Sequence, residues 1–177
     1  MRDLRRLHAR RLRRMQELPG LYLAHRALHA HPWLWERVHC VHHRIRAPTA
    51  AAVLYIHPLD TAIQQGVPML TACAMLQPHL APWYLWVTLH LCETTLNHAG
   101  LFDGKGGGGG GKGGSDDRAL ARVEAAASLL LFRWLPGRAD TRHHDRHHAK
   151  SNHAGRALNL AETWWVLDAL GGTLARG

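Results

Sequence analysis

The chain has 177 residues, 46% of them hydrophobic and 20% charged, with a formal net charge of +9. That length accommodates one domain with a sizeable core, and the composition excludes both a disordered polymer and a chain made only of membrane spans. Cys40, Cys73 and Cys92 are too few and too scattered for a disulfide framework, which fits a reducing compartment.

Residues 1–17 read as a basic amphipathic arm, with Leu4, Leu7, Leu12 and Met15 on one broad helical face and seven arginines among the first fourteen residues. Such an arm is either a solvated charged helix or a membrane-surface anchor. Nucleic-acid binding is not expected, because the remaining chain lacks an aromatic–basic surface pattern. Pro19 and Gly20 break the chain. Residues 21–46 then predict two helices meeting near His31-Pro32, since proline suits a first turn and not a helix interior.

The most apolar part is 49–99. Its two segments, 62–76 with Pro68 inside and 83–96 after Pro78 and Pro82, fall short of the roughly 20 residues a straight span needs. They predict a helical hairpin, either dipping into a bilayer with Trp83, Tyr84 and Trp86 at the interface or buried in a soluble core. Residues 104–115 form a Gly-rich linker insertion. A helix over 116–134 follows, opened by Ser115 and Asp116 and ended by Leu135-Pro136-Gly137. Another helix carries 143–150, a loop passes Asn152 and Gly155, and a last helical stretch covers 158–170. No alternating β-branched run appears, so the fold class is all-α.

Sixteen histidines are several times ordinary usage, and most fall in three clusters. His25 and His29 form an HxxxH; His39, His42 and His43 form an HxxHH; His144, His147 and His148 form another. On a helix, residues at i, i+3 and i+4 share one face, so each cluster presents its imidazoles to one side. With His98 they make nine candidate ligands. Imidazole suits Fe, Zn and Cu. A structural zinc is satisfied by four ligands and a catalytic one by three plus water, so nine are too many for one ion and about right for two. Splitting O₂ needs a metal that changes oxidation state, which favours a pair of irons. The carboxylate Glu-x-x-His motif of soluble di-iron bundles is absent.

At these residues the sequence resembles the fatty acid hydroxylase and sterol desaturase superfamily, which the HxxxH, HxxHH, HxxHH series defines. Within it, AHRALHAHPWLWERVHCVHHRIRAP, His57-Pro58-Leu59-Asp60, LWVTLHLCETTLNHAG, ADTRHHDRHHAKSNHAG and WWVLDALGGT are most similar to the 4-methylsterol monooxygenases. The likeness covers about residues 18–174, interrupted by the glycine tract, and implies a domain made of 18–103 and 116–177. It implies an integral-membrane helical bundle with a histidine-rich di-iron cap facing the cytosol at the endoplasmic reticulum. Two Fe ions would be held by His25, His29, His39, His42, His43, His98, His144, His147 and His148, with electrons from NAD(P)H through a b-type cytochrome.

The implied reaction is oxidation of a sterol or related lipid, foremost a 4-methyl group. A fatty-acid hydroxylase or a desaturase would use the same ligands, and a truncated, non-catalytic metal-binding paralogue is the other reading. His57, Asp60, Asp145 and Asn152 are candidates to support the ligands from outside, and Glu93 could orient an imidazole. His143 points about 100° away from His144 on a helix and stays outside the ligand set. His31, His79 and His90 read as helix-end or packing residues. The departures are an Arg-rich arm where the family has a membrane hairpin, His153 in place of an aromatic, a late Asp168, and the glycine tract. Whether the chain forms homo- or hetero-oligomers is open.

Overall fold

In the computed structural model the chain is described over residues 20–45, 49–99, 134–151 and 154–175, with 122 and 125–128. The arm 1–17, the linker 104–115, most of the helix expected over 116–134, and Asn152 lie outside the described residues. Among the described residues there is no strand, only an isolated antiparallel bridge between Arg138 and Trp164. The all-α expectation holds for them.

Helix α1 (Gly20–Ala30) buries Tyr22, His25, Leu28 and His29 on one stripe. His31 adopts an extended conformation and Pro32 opens α2 (Pro32–Arg37), as its fixed φ and missing N–H favour. The second histidine box then departs from expectation. At Val38 the backbone leaves helical geometry (φ −123°, ψ −70°), and His39–Arg44 is a 3₁₀ helix. Three residues per turn place His42 directly over His39, and His39, His42 and His43 are all buried.

A second 3₁₀ turn, Ala50–Leu54, packs on the later helix that carries His98. The segment expected over 62–76 is longer than its apolar run. α3 (Pro58–Thr61) passes through a π turn, Ala62–Gly66, into α4 (Val67–Leu76). The Pro68 ring would clash with the carbonyl four residues earlier, at Gln64. A π turn there accommodates it, with Pro68 in the first turn of α4. Gln77, at φ 44°, ends α4, and α5 (Leu80–Asn97) returns.

Helix α5 is inside-out. It buries His90, Glu93, Thr94 and Asn97, while Leu80, Tyr84, Leu85 and Leu91 are exposed. No helix among the described residues is long and apolar enough to cross a membrane.

Helix α6 (Thr141–Lys150) carries the third box. Asp140 caps it, its carboxylate accepting the His143 N–H at 2.9 Å. The helix expected over 158–170 forms only as α7 (Val166–Gly171). The preceding strip is extended because its backbone groups are already engaged by side chains. Leu158 N–H donates to Ser151 Oγ, and Leu160 and Ala161 N–H donate to the Asp168 carboxylate at 2.7 and 3.0 Å. Such bonds replace the helical ladder. This strip supplies Ala157, Leu160 and Ala161, which pack with Tyr22 as a small apolar cluster.

Candidate metal centre

All nine histidines come together in the interior, at 0–6% exposure. They divide into two donor sets whose ligating atoms lie within 4.8 Å of one another: His25, His29, His39, His43 and His147, and His42, His98, His144 and His148. The sets draw on different elements. α1 supplies His25 and His29, the 3₁₀ helix supplies three rings split between both sets, His98 caps the C-terminus of α5, and α6 supplies the rest. His43 and His148 stack across the boundary with centroids 4.7 Å apart. The sets therefore abut.

Ring orientation comes from the outward nitrogens. His25 Nδ1–H donates to the Leu160 carbonyl at 2.8 Å, His147 Nδ1–H to the Leu158 carbonyl at 2.7 Å, and His98 Nδ1–H to the Thr94 carbonyl at 2.8 Å. His39 Nδ1–H donates to Asp60 Oδ2 at 2.7 Å. In a neutral imidazole, a proton on Nδ1 leaves Nε2 as a bare lone pair. Yet His25 Nε2 and His39 Nε2 face each other at 3.2 Å, both with Nδ1 committed. With both rings neutral, no hydrogen bond forms in that pair and two lone pairs meet. The other Nε2 neighbours stand at 3.0–3.2 Å, including His39–His29, His147–His43, His98–His42 and His144–His98. Imidazole–metal bonds of about 2.1 Å put donors at right angles about 3.0 Å apart and tetrahedral ones about 3.4 Å apart. The donor chemistry fits a cation at the centre of each set.

Electrostatics favour the ligating form. Burial, followed by the nearness of His39, pushes His25 down to about 3, against the Leu160 carbonyl, Asp60 and Asp168. Burial is also the first cause holding His29, His42, His43, His144, His147 and His148 well below the ordinary histidine range, with neighbouring imidazoles second. His98 is lowered by burial. Rings kept neutral bind metal without first releasing a proton. Trp35 stacks on His29 at 4.8 Å and lies 5.2 Å from His43, closing that side to water.

The residues expected around the ligands divide. Asp60, fully buried, holds His39. His57 instead caps α3, its Nδ1 accepting the Leu59 N–H at 3.1 Å, and so supports the turn bearing Asp60. Asp145 is half-buried on α6. Glu93 pairs with Arg138, whose guanidinium also lies 5.1 Å over the Trp164 ring. His90 is a buried packing residue, stacked on Trp86 and bonded through Nε2–H to Gln65 at 2.8 Å.

Asp168 does far more than its place in a closing motif suggested. Its carboxylate accepts from Leu160, Ala161, Thr173 and His143, the last at 2.9 Å. Asn159, at φ 55°, joins the same corner by donating to the His143 carbonyl and accepting the Ala175 N–H. The only sequence signal for this corner is the spacing Asn159…Asp168…Thr173.

The sequence profile of the fatty acid hydroxylase family matches residues 17–173. The chain belongs to the fatty acid hydroxylase family. Its relatives include methylsterol monooxygenase 1 of Rattus norvegicus, 30% identical over 152 residues (86% of this chain, 41% of that protein). Fatty acid hydroxylase domain-containing protein 2 of Homo sapiens is 34% identical over 79 residues (45% and 23%). Very-long-chain aldehyde decarbonylase GL1-11 of Oryza sativa subsp. japonica is 37% identical over 79 residues (45% and 29%). This fatty acid hydroxylase chain thus spans less than half the length of these curated relatives. No solved structure matches it.

Proposed function

We propose that the chain is a di-iron oxygenase that hydroxylates a sterol or related lipid, foremost a methyl group on a sterol precursor. The observation that carries the reading is the pair of abutting all-imidazole donor sets, five rings and four. A bound pair of irons would supply the redox chemistry that turns O₂ on an unactivated C–H bond.

The chain's own residues prepare the site. Leu158, Leu160 and Thr94 carbonyls and the Asp60 carboxylate fix four rings with Nε2 inward. Burial holds His25, His98 and His147 below the ordinary histidine range, and Trp35 excludes water from one flank. The inside-out α5 supports a lipid setting, since exposed leucines and a buried polar stripe suit acyl chains outside and a polar site within. In this reading the α4–α5 hairpin inserts into the endoplasmic reticulum membrane with the donor sets at its cytosolic mouth, and a b-type cytochrome relays electrons from NAD(P)H. The sterol branch is supported by the monooxygenase relative, whose match covers 86% of the chain. The hydroxylase and decarbonylase relatives keep a fatty-acyl substrate as the second reading.

Expression in a yeast lacking its own 4-methylsterol oxidase tests the proposal. Restored removal of sterol 4-methyl groups is expected, with loss of rescue in His147→Ala and His148→Ala. Purified chain should carry about two irons, matching its two donor sets; a single zinc ion per chain would sink the oxygenase reading.

A further inference from the structure

One buried polar pair takes no part in holding the imidazoles. Gln64 is 6% exposed and Glu162 8%, and Gln64 Nε2–H donates to Glu162 Oε1. The second oxygen of each side chain, Gln64 Oε1 and Glu162 Oε2, is buried with no hydrogen-bond partner. Buried polar atoms are nearly always bonded, and these two open oxygens stand side by side on one hydrogen-bonded pair, where a single small polar group could reach both.

The backbone presents this pair deliberately. Gln64 lies in the π turn Ala62–Gly66, whose wider pitch lets consecutive glutamines both face inward, Gln64 to Glu162 and Gln65 to His90. Such turns recur at functional sites. The pair also adjoins the donor sets. Gln64 stands one helical turn beyond Asp60, which holds His39. The Glu162 carbonyl accepts from Asn97 Nδ2 at 3.0 Å, and Asn97 precedes His98.

The chemistry of the pair selects its ligand. The nearby carboxylates have partners, Asp60 through Oδ2 with His39 and Glu93 with Arg138. Burial first, then Glu93 and Asp60, and against the Gln64 hydrogen bond, pushes the Glu162 carboxyl up to about 7. In its protonated form Glu162 Oε2 can donate, whereas Gln64 Oε1 only accepts. A hydroxyl group completes both, accepting from one and donating to the other. An ether or ketone completes one, and an anion meets three acidic side chains.

We propose that Gln64 and Glu162 anchor the hydroxyl group of a sterol-type alcohol, holding it beside the two histidine sets. This rests on the lipid-substrate reading above and adds the residues that recognise the substrate's polar end.

The test uses the full chain in detergent and two probes, a 3β-hydroxysterol and its 3-O-methyl ether. The wild type should bind the hydroxysterol about tenfold more tightly, the worth of one good hydrogen bond. Gln64→Met and Glu162→Met should bring the ratio near one by weakening hydroxysterol binding alone. Glu162→Gln should keep the preference, because its amide donates where the carboxyl did.

Infrared difference spectra of the wild type avoid reliance on variants that fold poorly. The carboxyl C=O band should shift with the hydroxysterol and not with the ether, and should be missing in Glu162→Gln. Equal binding of the two probes, as for a pair that holds only a buried water, overturns the anchor. So does a preference that survives both methionine variants. Iron measured on the same samples separates the two readings. Two irons without hydroxyl preference removes the anchor and leaves the metal centre, whereas hydroxyl preference without iron keeps the anchor and removes the oxygenase.

Discussion

Asp60 shows how one carboxylate outside the donor sets governs a ring inside them. Its Oδ2 fixes the tautomer of His39, and His39 Nε2 is the atom that His25, His29 and His43 all approach. Asp60→Asn preserves the shape and removes the charge. Metal affinity should fall about 10–100-fold, as for other supporting carboxylates, measured by competition with a chelator. An unchanged affinity would mean the carbonyl-held rings suffice. His57→Ala should act more mildly, through the cap of the turn that carries Asp60. The spacing of the boxes picked out eight of the nine rings, but nothing in it pairs His39 with a residue 21 positions on.

At the scale of elements, α7 is docked by an absent side chain. A Cβ on Gly171 would stand 1.9 Å from the Tyr22 hydroxyl and 2.8 Å from its ring carbon Cζ. Tyr22 is held there by Thr173 Oγ1 at 2.9 Å and by Arg26, which also bonds the Gly171 carbonyl at 3.0 Å. Gly171→Ala should destabilise the fold by about 1–3 kcal/mol through overpacking. Tyr22→Phe in the same chain should recover part of that loss, which a double-variant cycle in denaturant would read as coupling. Additive losses would show that α7 simply shifts. Asp140→Ala should cost about 1 kcal/mol by uncapping α6, and it should loosen metal binding because three donors ride on that helix.

For the whole molecule, the concentration of neutral imidazoles makes acid the weak side. His25, His29, His42, His43, His98, His144, His147 and His148 all have folded values below the ordinary one. The unfolded chain therefore binds more protons once pH drops below about 6.5. Each group's contribution is complete above that pH and is lost as pH falls toward its folded value. Glu162, raised to about 7, works in the opposite direction between its unfolded value and 7, but it is one group against these eight and His90, which burial also lowers, to about 4. Metal-free protein should lose stability steeply between about pH 6.5 and 5, seen as a falling denaturant midpoint, and metal loading should push that transition to lower pH. A flat profile across this range would mean the rings are not buried together.

Helix class, eight of the nine clustered rings and the existence of two clustered boxes plus a half-box were decided along the chain, because HxxxH and HxxHH are local patterns that carry their meaning in their spacing. Family membership was legible for the same reason. What only the tertiary structure decided is who meets whom. The His39–Arg44 segment became 3₁₀ because Val38 turns out of the helix, and its rings could then serve both donor sets. The strip before α7 stayed extended because Ser151 and Asp168 claimed its backbone groups. The pairing of Gln64 with Glu162 joins residues 98 positions apart. Local propensity acts over one or two turns, whereas these bonds form only after distant elements have packed and water has left.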